Sequence, residues 1–347
     1  MKIFDLLEQV NNMLNADSIA LISAIEEKKG FVGSIPKRKK INRLHDLSKR
    51  RSVTSSNEIE GISVTKAREE ALFLHTIDAE TKEDYALMGY NKALTYIMDN
   101  YKYLSLSESL IKDLHYKMYE DYMPVFGGKY KDMQNYINAY DDKGNFVETL
   151  FVPSAPEDVA PQLGNLIWQF NDACNKQTTN RLLLTFAFIL DFICIHPFSD
   201  GNGRVSRLLT TFLLLKFGYS MDEYYSLSYL ILEHQEEYYR ALHQSDAGWH
   251  ENKNNPYPFV RFHLLRLIEG YNKISYIIEI ADIKDNCDGK VLRVIKDNKI
   301  PTSKAYIEEI LFEYTRTSIE KSLAKLLSQN KIEFTSKGQS ALYIMKQ

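Results

Sequence analysis

The stretch His196-Pro197-Phe198-Ser199-Asp200-Gly201-Asn202-Gly203-Arg204-Val205-Ser206-Arg207 decides how this 347-residue chain is read. Before it runs Arg181 to Ile195, almost wholly apolar, and after it Leu208 to Phe217, again nearly all apolar. Both flanks are long and rich in Leu and Phe, which predicts two buried helices. Pro197 and the two glycines forbid one continuous helix, so the polar residues form a loop and the second helix starts near Gly203. A glycine-rich loop that feeds a helix start points backbone N–H groups outward and makes an anion site. Arg204 and Arg207, three apart, share one face of that first turn. His196 and Asp200 bracket the loop with a base and a hard metal ligand. Taken singly, a histidine after an apolar helix is commonly a satisfied core residue, Gly-Asn-Gly a turn, and such an arginine pair a solvated face. In this order, between two apolar helices, they describe a site that handles phosphate.

The stretch resembles the signature of the Fic family: His-Pro-Phe, any residue, an acid, Gly-Asn-Gly-Arg, two residues, Arg. Every fixed position is matched here. The resemblance implies a mainly α fold, a Fic-type helical bundle with a small β-hairpin flap. It also implies transfer of a nucleoside monophosphate, usually AMP from ATP, to a Ser, Thr or Tyr hydroxyl of a protein. On that resemblance His196 is the catalytic general base, a role a neutral imidazole can fill near pH 7. Asp200 supplies one hard oxygen to Mg2+, which takes further ligands from water and substrate phosphates. N–H groups around Gly201, Asn202 and Gly203 stabilise charge on the α-phosphate and the leaving pyrophosphate. Arg204 holds the β-phosphate and Arg207 the γ-phosphate, while Phe198 points inward and pins the loop. The partners implied are ATP and a target protein, the chain itself among the candidates. Another nucleotide such as UTP, the reverse hydrolysis of AMP-protein, and a non-enzymatic DNA-binding regulator that senses nucleotide stay open as alternatives. A phosphotransferase is disfavoured because the related kinases of this fold alter the second glycine, and Gly203 is intact.

Three further segments extend the resemblance. Ser55-Ser56-Asn57-Glu58-Ile59-Glu60-Gly61 looks like the family's inhibitory motif, with Ser56, Glu60 and Gly61 at its fixed positions, and is expected ahead of a helix from about Val64. Its place before the core is similar to the class with an N-terminal inhibitory helix, in which the Glu60 carboxylate pairs with Arg207 and excludes the γ-phosphate. Met133 to Val152 alternates loosely around Asp141-Asp142-Lys143-Gly144-Asn145, a hairpin signal. In the family this is the flap, whose edge takes the target segment by strand addition. Glu148, Thr149, Leu150 and Phe151 are then expected over the nucleotide. Gly127-Gly128-Lys129-Tyr130-Lys131 has Lys131 where the family frequently has Arg. Tyr238 and Tyr239, in Tyr-Tyr-Arg-Ala-Leu, resemble the segment against adenine and ribose, one of the two packing into the core. Asp246 stands near a position where Asn is frequent.

Composition bounds the remainder. With 44% hydrophobic and 12% aromatic residues the chain is globular. A net charge of −3 excludes a surface wholly built to coat nucleic acid. Cys174, Cys194 and Cys287 suggest neither a disulfide framework nor a zinc site. No clean apolar run reaches about 18 residues, so no membrane span is expected and a cytoplasmic location is the simplest expectation. The basic run Lys37-Arg38-Lys39-Lys40 reads as solvated surface. The predicted organisation is an N-terminal helical region over 1–104 carrying the inhibitory motif at 56–61, a catalytic core over 105–280, and a separate unit over 286–347. Residues 1–50 read as two helical segments around a loop with Gly30, Gly33 and Pro36. Helices follow over 84–99 and 107–121, from a capping box at Ser154-Ala155-Pro156-Glu157, from Ser228 to Gln244, and from Pro256 to about Ile280. The last unit reads as three helices (Lys290–Lys296, Lys304–Leu311, Thr317–Ser328) and a strand pair around Ser336-Lys337-Gly338-Gln339. That order resembles a winged helix, mildly basic, for which DNA contact, protein docking and homo-oligomer packing all stand open.

Overall fold

The computed structural model describes residues 5–33, 39–141, 143–176, 179–335 and 341–346. Three helices come first: α1 (Leu6–Asn12), α2 (Ala16–Gly33) and α3 (Lys39–Glu58). After short α4 (Lys66–Phe73) come α5 (Lys82–Asn100) and α6 (Glu108–Tyr119). A hairpin of β1 (Ile137–Tyr140) and β2 (Phe146–Phe151) precedes α7 (Pro156–Asn175), α8 (Arg181–Ile195) and α9 (Asn202–Lys216). Then follow α10 (Met221–Tyr224), α11 (Leu227–Glu233), α12 (Gln235–Asp246) and the long α13 (Tyr257–Asp282).

The centre of the molecule is α8. Its side chains from Leu182 to Phe192 are all buried, as a helix apolar on every side must be. Asn180 caps it, its side-chain oxygen accepting from the N–H groups of Leu182 and Leu183. Helices α1, α7, α9, α12 and α13 pack around it, and α3, α5 and α6 complete the shell on the far side of α9. The one carboxylate inside α8, Asp191, accepts from Trp249 Nε1 at 2.7 Å and Gln9 Nε2 at 3.4 Å, so its burial is compensated. Helix α9 stops at the Gly218 turn, φ 79°, where Gly218 N–H donates to the Leu215 carbonyl at 3.0 Å.

Three local expectations are corrected. Gly30 and Gly33 lie within α2 rather than in a loop, so the first fifty residues form three helical pieces instead of two; Pro36 lies outside the described residues. Ser154 does not cap α7: Ala155 is the N-cap, without a side-chain bond. Ser154 Oγ donates instead to Gln162 Oε1 at 2.6 Å, and Pro156 at the first helical position has no N–H to be capped. The span Ser228 to Gln244 is two helices, broken at His234, whose φ −119° and ψ 34° are not helical. The Ser56–Glu60 segment closes α3, ahead of α4 as expected, which starts at Lys66 under a Thr65 cap.

The hairpin is antiparallel, pairing Ile137 with Phe151 and Asn138 with Thr149. Asp141 closes its turn by accepting from the N–H groups of Lys143 at 2.9 Å and Asn145 at 2.8 Å. After α13 the chain forms α14 (Cys287–Asp297), β3 (Thr302–Ser303), α15 (Lys304–Ile310), α16 (Arg316–Ser328), β4 (Ile332–Phe334) and β5 (Leu342–Met345). The three strands form one antiparallel sheet in the order β3-β5-β4. The expected turn at Ser336 to Gln339 lies outside the described residues. Contacts to the core include those of Glu309, which meets Arg51 at 3.4 Å and accepts from Tyr225 Oη at 2.6 Å. Among the described residues no helix is long and apolar enough to cross a membrane.

Candidate active site

The loop between α8 and α9 is built to hold its own shape. His196 ends α8 in the left-handed region, φ 54°, with its N–H on the Phe192 carbonyl. Phe198 is fully buried and stacks on His115, ring centroids 3.9 Å apart. The Asn202 side chain clasps the loop from both sides. Its oxygen accepts from Phe198 N–H at 2.9 Å, and its amide donates to the Phe198 carbonyl at 2.7 Å. Gly201 is the N-cap of α9 at φ 82°, where only glycine is unstrained. A Cβ there would also stand 2.9 Å from the Tyr119 hydroxyl. The N–H groups of Asn202, Gly203 and Arg204, in the first turn, have no acceptor within the helix and mark its positive end.

Charge converges on that end. Asp200 accepts from Gly201 N–H at 2.7 Å through one oxygen and from the Tyr119 hydroxyl at 2.8 Å through the other. Burial alone would raise its carboxyl, but Arg204, Tyr119 and the Gly201 N–H outweigh that and hold it below its ordinary value. Arg204 is 2% exposed. Its Nη2 donates to the Tyr119 hydroxyl at 2.6 Å, while its buried Nε and Nη1 have no acceptor among the described residues. Arg207, also buried, donates from Nε to Ser56 Oγ and from Nη2 to both the Ser56 carbonyl and Glu60 Oε1, each at 2.7 Å. The Glu60 carboxylate lies against Gly203, so close that a Cβ there would collide with it. The end of α3 thus places a carboxylate on the first turn of α9. Gly61, φ 73°, turns the chain away. Gln235 and Tyr239 donate to the Ile59 carbonyl at 3.4 and 3.3 Å, steadying the same segment.

The His196 ring is partly buried, which lowers its pKa to about 4, and the nearby Lys131 charge pushes in the same direction. It is neutral at pH 7. Its Nδ1 stands 3.2 Å from the Ile193 carbonyl. A carbonyl only accepts, so Nδ1 carries the proton and Nε2 keeps its lone pair. Lys131 is itself buried, its pKa lowered to about 8 by loss of solvent. It donates from Nζ to Asn135 Oδ1 at 2.8 Å and, at 3.5 Å, to the Ile195 carbonyl just before His196.

The structure therefore brings together His196, Asp200, Gly201, Asn202, Gly203, Arg204, Arg207, Ser56, Glu60 and, through Ile59, Tyr239. It separates the two tyrosines. Tyr238 is buried, with Phe259, Phe262 and His263 around its ring, and so is the packing member of the pair. Asp246 is partly buried and its carboxyl is pushed up to about 6 by lost hydration. Glu148, Thr149 and Leu150 are exposed on β2, and Phe151 stacks on His250 at 5.6 Å. No hydrogen bond, ion pair or ring contact among the described residues joins these four to the loop. Sequence reasoning missed His115 and Tyr119. Both sit on α6 facing the loop, His115 Nε2 at 3.1 Å from the Asp200 carbonyl. The apolar stripe Leu110, Leu114, Met118 was the available signal, since a histidine and a tyrosine lie beside it on the same buried face.

The helical bundle thus gathers a neutral histidine, one carboxylate and two buried arginines at a helix start, a set of groups whose chemistry suits phosphate. Residues 105–214 match the model of the Fic/DOC family. Over 259 residues it is 26% identical to the protein adenylyltransferase Fic of Nematostella vectensis, covering 70% of this chain and 52% of that one. Against the Drosophila willistoni protein of the same name it is 29% identical over 215 residues, covering 59% and 37%. The chain thus spans about half or less of the length of these relatives. A Fic family protein from Desulfovibrio desulfuricans G20 has the same fold over 96% of both chains, the C-terminal unit included, with a TM-score of 0.62 and 19% identity. Fic-1 of C. elegans matches over 77% of this chain and 74% of its own, with a TM-score of 0.61 and 20% identity.

Proposed function

We propose that this chain is a protein adenylyltransferase held in an inhibited form by Glu60. One observation carries the reading: the Glu60 carboxylate is paired with Arg207 on the first turn of α9, beside a neutral His196 and an Arg204 with two unused donors. A helix start and two arginines are suited to a triphosphate, and Glu60 occupies the part of that seat where a terminal phosphate would pair with Arg207. A terminal phosphate brought to Arg207 would compete with Glu60 for Nη2 and be repelled by its charge, so ATP is kept from seating with its α-phosphate in line while Glu60 stays.

With Glu60 withdrawn, His196 Nε2 accepts the proton of a target Ser, Thr or Tyr hydroxyl, and the oxygen attacks the α-phosphorus. The bond to the β-phosphate breaks and pyrophosphate leaves. The N–H groups of the first turn of α9 meet the growing charge, Arg204 the β-phosphate and Arg207 the γ-phosphate. No group of three or more His, Cys, Asp or Glu suited to a metal occurs among the described residues. Asp200, 58% exposed in its side chain and fixed by Tyr119 and Gly201, fits an ion such as Mg2+ that draws its other ligands from water and phosphate. Such an ion would neutralise triphosphate charge. Tyr239 and the flap residues Glu148, Thr149, Leu150 and Phe151 are assigned to the nucleoside side. Among the described residues the flap is a two-stranded sheet, a form to which an extended target segment can add as a strand. The helix–strand–helix–helix–strand–strand order of 287–345 supports a winged-helix module that holds a partner, protein or DNA.

The test is incubation of the Glu60→Gly chain with labelled ATP and Mg2+, alone and with a cell lysate. Label on the chain or on a target, at least ~10-fold above the unsubstituted chain and lost in Glu60→Gly with His196→Ala, supports the reading. Equal labelling with and without Glu60 removes the inhibitory role, and labelling that survives His196→Ala removes the base.

A further inference from the structure

Asp200 and Arg204 stand four residues apart across a helix start, the spacing at which a carboxylate and a guanidinium ordinarily pair. Here the pair is long and single: Nη2 of Arg204 donates to Asp200 Oδ2 at 3.4 Å, with no second hydrogen bond. The Tyr119 hydroxyl lies between them, donating to Asp200 Oδ2 at 2.8 Å and accepting from Arg204 Nη2 at 2.6 Å. A hydroxyl can satisfy an anion with its proton and a cation with a lone pair at once. It uses one site on each partner, whereas a direct bidentate pair would use two.

The ring is held for this task. It packs on His115 and Phe126 at 4.8 and 4.9 Å between centroids, and Gly201 leaves room for its hydroxyl. As a result Arg204 keeps Nε and Nη1 buried without acceptors among the described residues, a costly state that an incoming anion relieves. Arg204, Asp200 and Tyr119 line a cavity of about 230 Å³, with Lys82, the first residue of α5, also in its wall.

We propose that Tyr119 is a positioning residue, a spacer that prevents the long, single Asp200–Arg204 contact from closing into a short bidentate ion pair and so keeps the carboxylate open to a cation and the guanidinium open to a phosphate. This deepens the adenylyltransferase reading and rests on it for the identity of the ligand. Tyr119→Phe removes the hydroxyl and keeps the ring packing, so the thermal midpoint of the full-length chain serves as the check on folding.

The experiment measures pyrophosphate binding without metal, and separately the Mg2+ concentration that half-saturates ATP binding, all in the Glu60→Gly chain. Tyr119→Phe should weaken metal-free pyrophosphate binding by about tenfold and raise the half-saturating Mg2+ concentration similarly, the size of one charge-assisted hydrogen bond. Its effect on pyrophosphate should vanish when Asp200→Asn is also present, because no carboxylate is left to capture Arg204. Unchanged binding in Tyr119→Phe overturns the proposal, as does a loss that persists in full beside Asp200→Asn. Absence of pyrophosphate binding in the Tyr119-containing chain overturns it too. If Mg·ATP binds and responds as expected but no AMP is transferred, the enzyme reading fails and the spacer stands.

Discussion

His196 is a base whose strength is set by where it sits. Ending α8 in a left-handed turn puts its ring against the Ile193 carbonyl, which fixes the tautomer, and partial burial lowers its pKa to about 4. Protonation would remove the lone pair at Nε2, so activity is present above that pKa and is lost as pH falls through it. For the Glu60→Gly chain, kcat/KM is expected to stay level from pH 7 down to about 5 and to fall toward pH 4. A half-fall near 6.5, the ordinary imidazole value, would mean that the ring is solvated in the working enzyme. The residues of the loop were legible because their chemistry is dense: a base, an acid, glycines and arginines in a short polar break between apolar runs. Tyr119 was not, because a tyrosine on an amphipathic helix looks the same whether its hydroxyl meets water or bridges two charges.

At the scale of elements, the site is the meeting of three helix ends: the C-terminus of α8, the N-terminus of α9 and the C-terminus of α3. The Asn202 clasp holds the first two together. Asn202→Ala removes both of its bonds to Phe198 and strips the buried Phe198 N–H of its acceptor, while Asn135 Nδ2 still reaches the Phe198 carbonyl at 3.3 Å; the loss should cost about 1–3 kcal/mol, read from the urea midpoint. A shift below a few tenths of a kcal/mol would show that the loop is held by Phe198 packing alone. Periodicity revealed the core helices well, since α8 and α9 are too apolar to lie anywhere else. It failed where competing local bonds decide. Ser154 was free to bond Gln162, so the capping pattern at α7 was not used as one. The backbone at His234 leaves the helix within a span whose apolar pattern continues, and no glycine or proline marks the break. The Ser56–Glu60 motif was recognised by resemblance, and its place at the end of a helix follows from the turn at Gly61 rather than from any capping preference.

At the scale of the whole molecule, α3 spans two attachments. One end reaches Arg207 through Ser56 and Glu60, and further back Arg51 meets Glu309 of the C-terminal unit. That unit is tied down by Lys290, 3% exposed in its side chain, which pairs with Glu313 and donates to the Ala281 carbonyl at the end of α13. Lys290→Met takes the lysine from the largely enclosed Glu313 carboxylate and should destabilise the fold, visible as a lowered thermal midpoint. No change would show that the other surroundings of Glu313 compensate for the lysine. The helices of this unit were legible in sequence, whereas β3 was not, since a two-residue strand exists only by pairing with β5. The central claim is that Glu60 sits where a terminal phosphate belongs. The most direct measurement compares the affinities of the unsubstituted and Glu60→Gly chains for Mg·ATP and Mg·ADP. The account predicts that removing Glu60 tightens ATP at least ~10-fold while changing ADP little, the difference being one charge-assisted contact with Arg207. Equal gains for both nucleotides, or none for ATP, would contradict it.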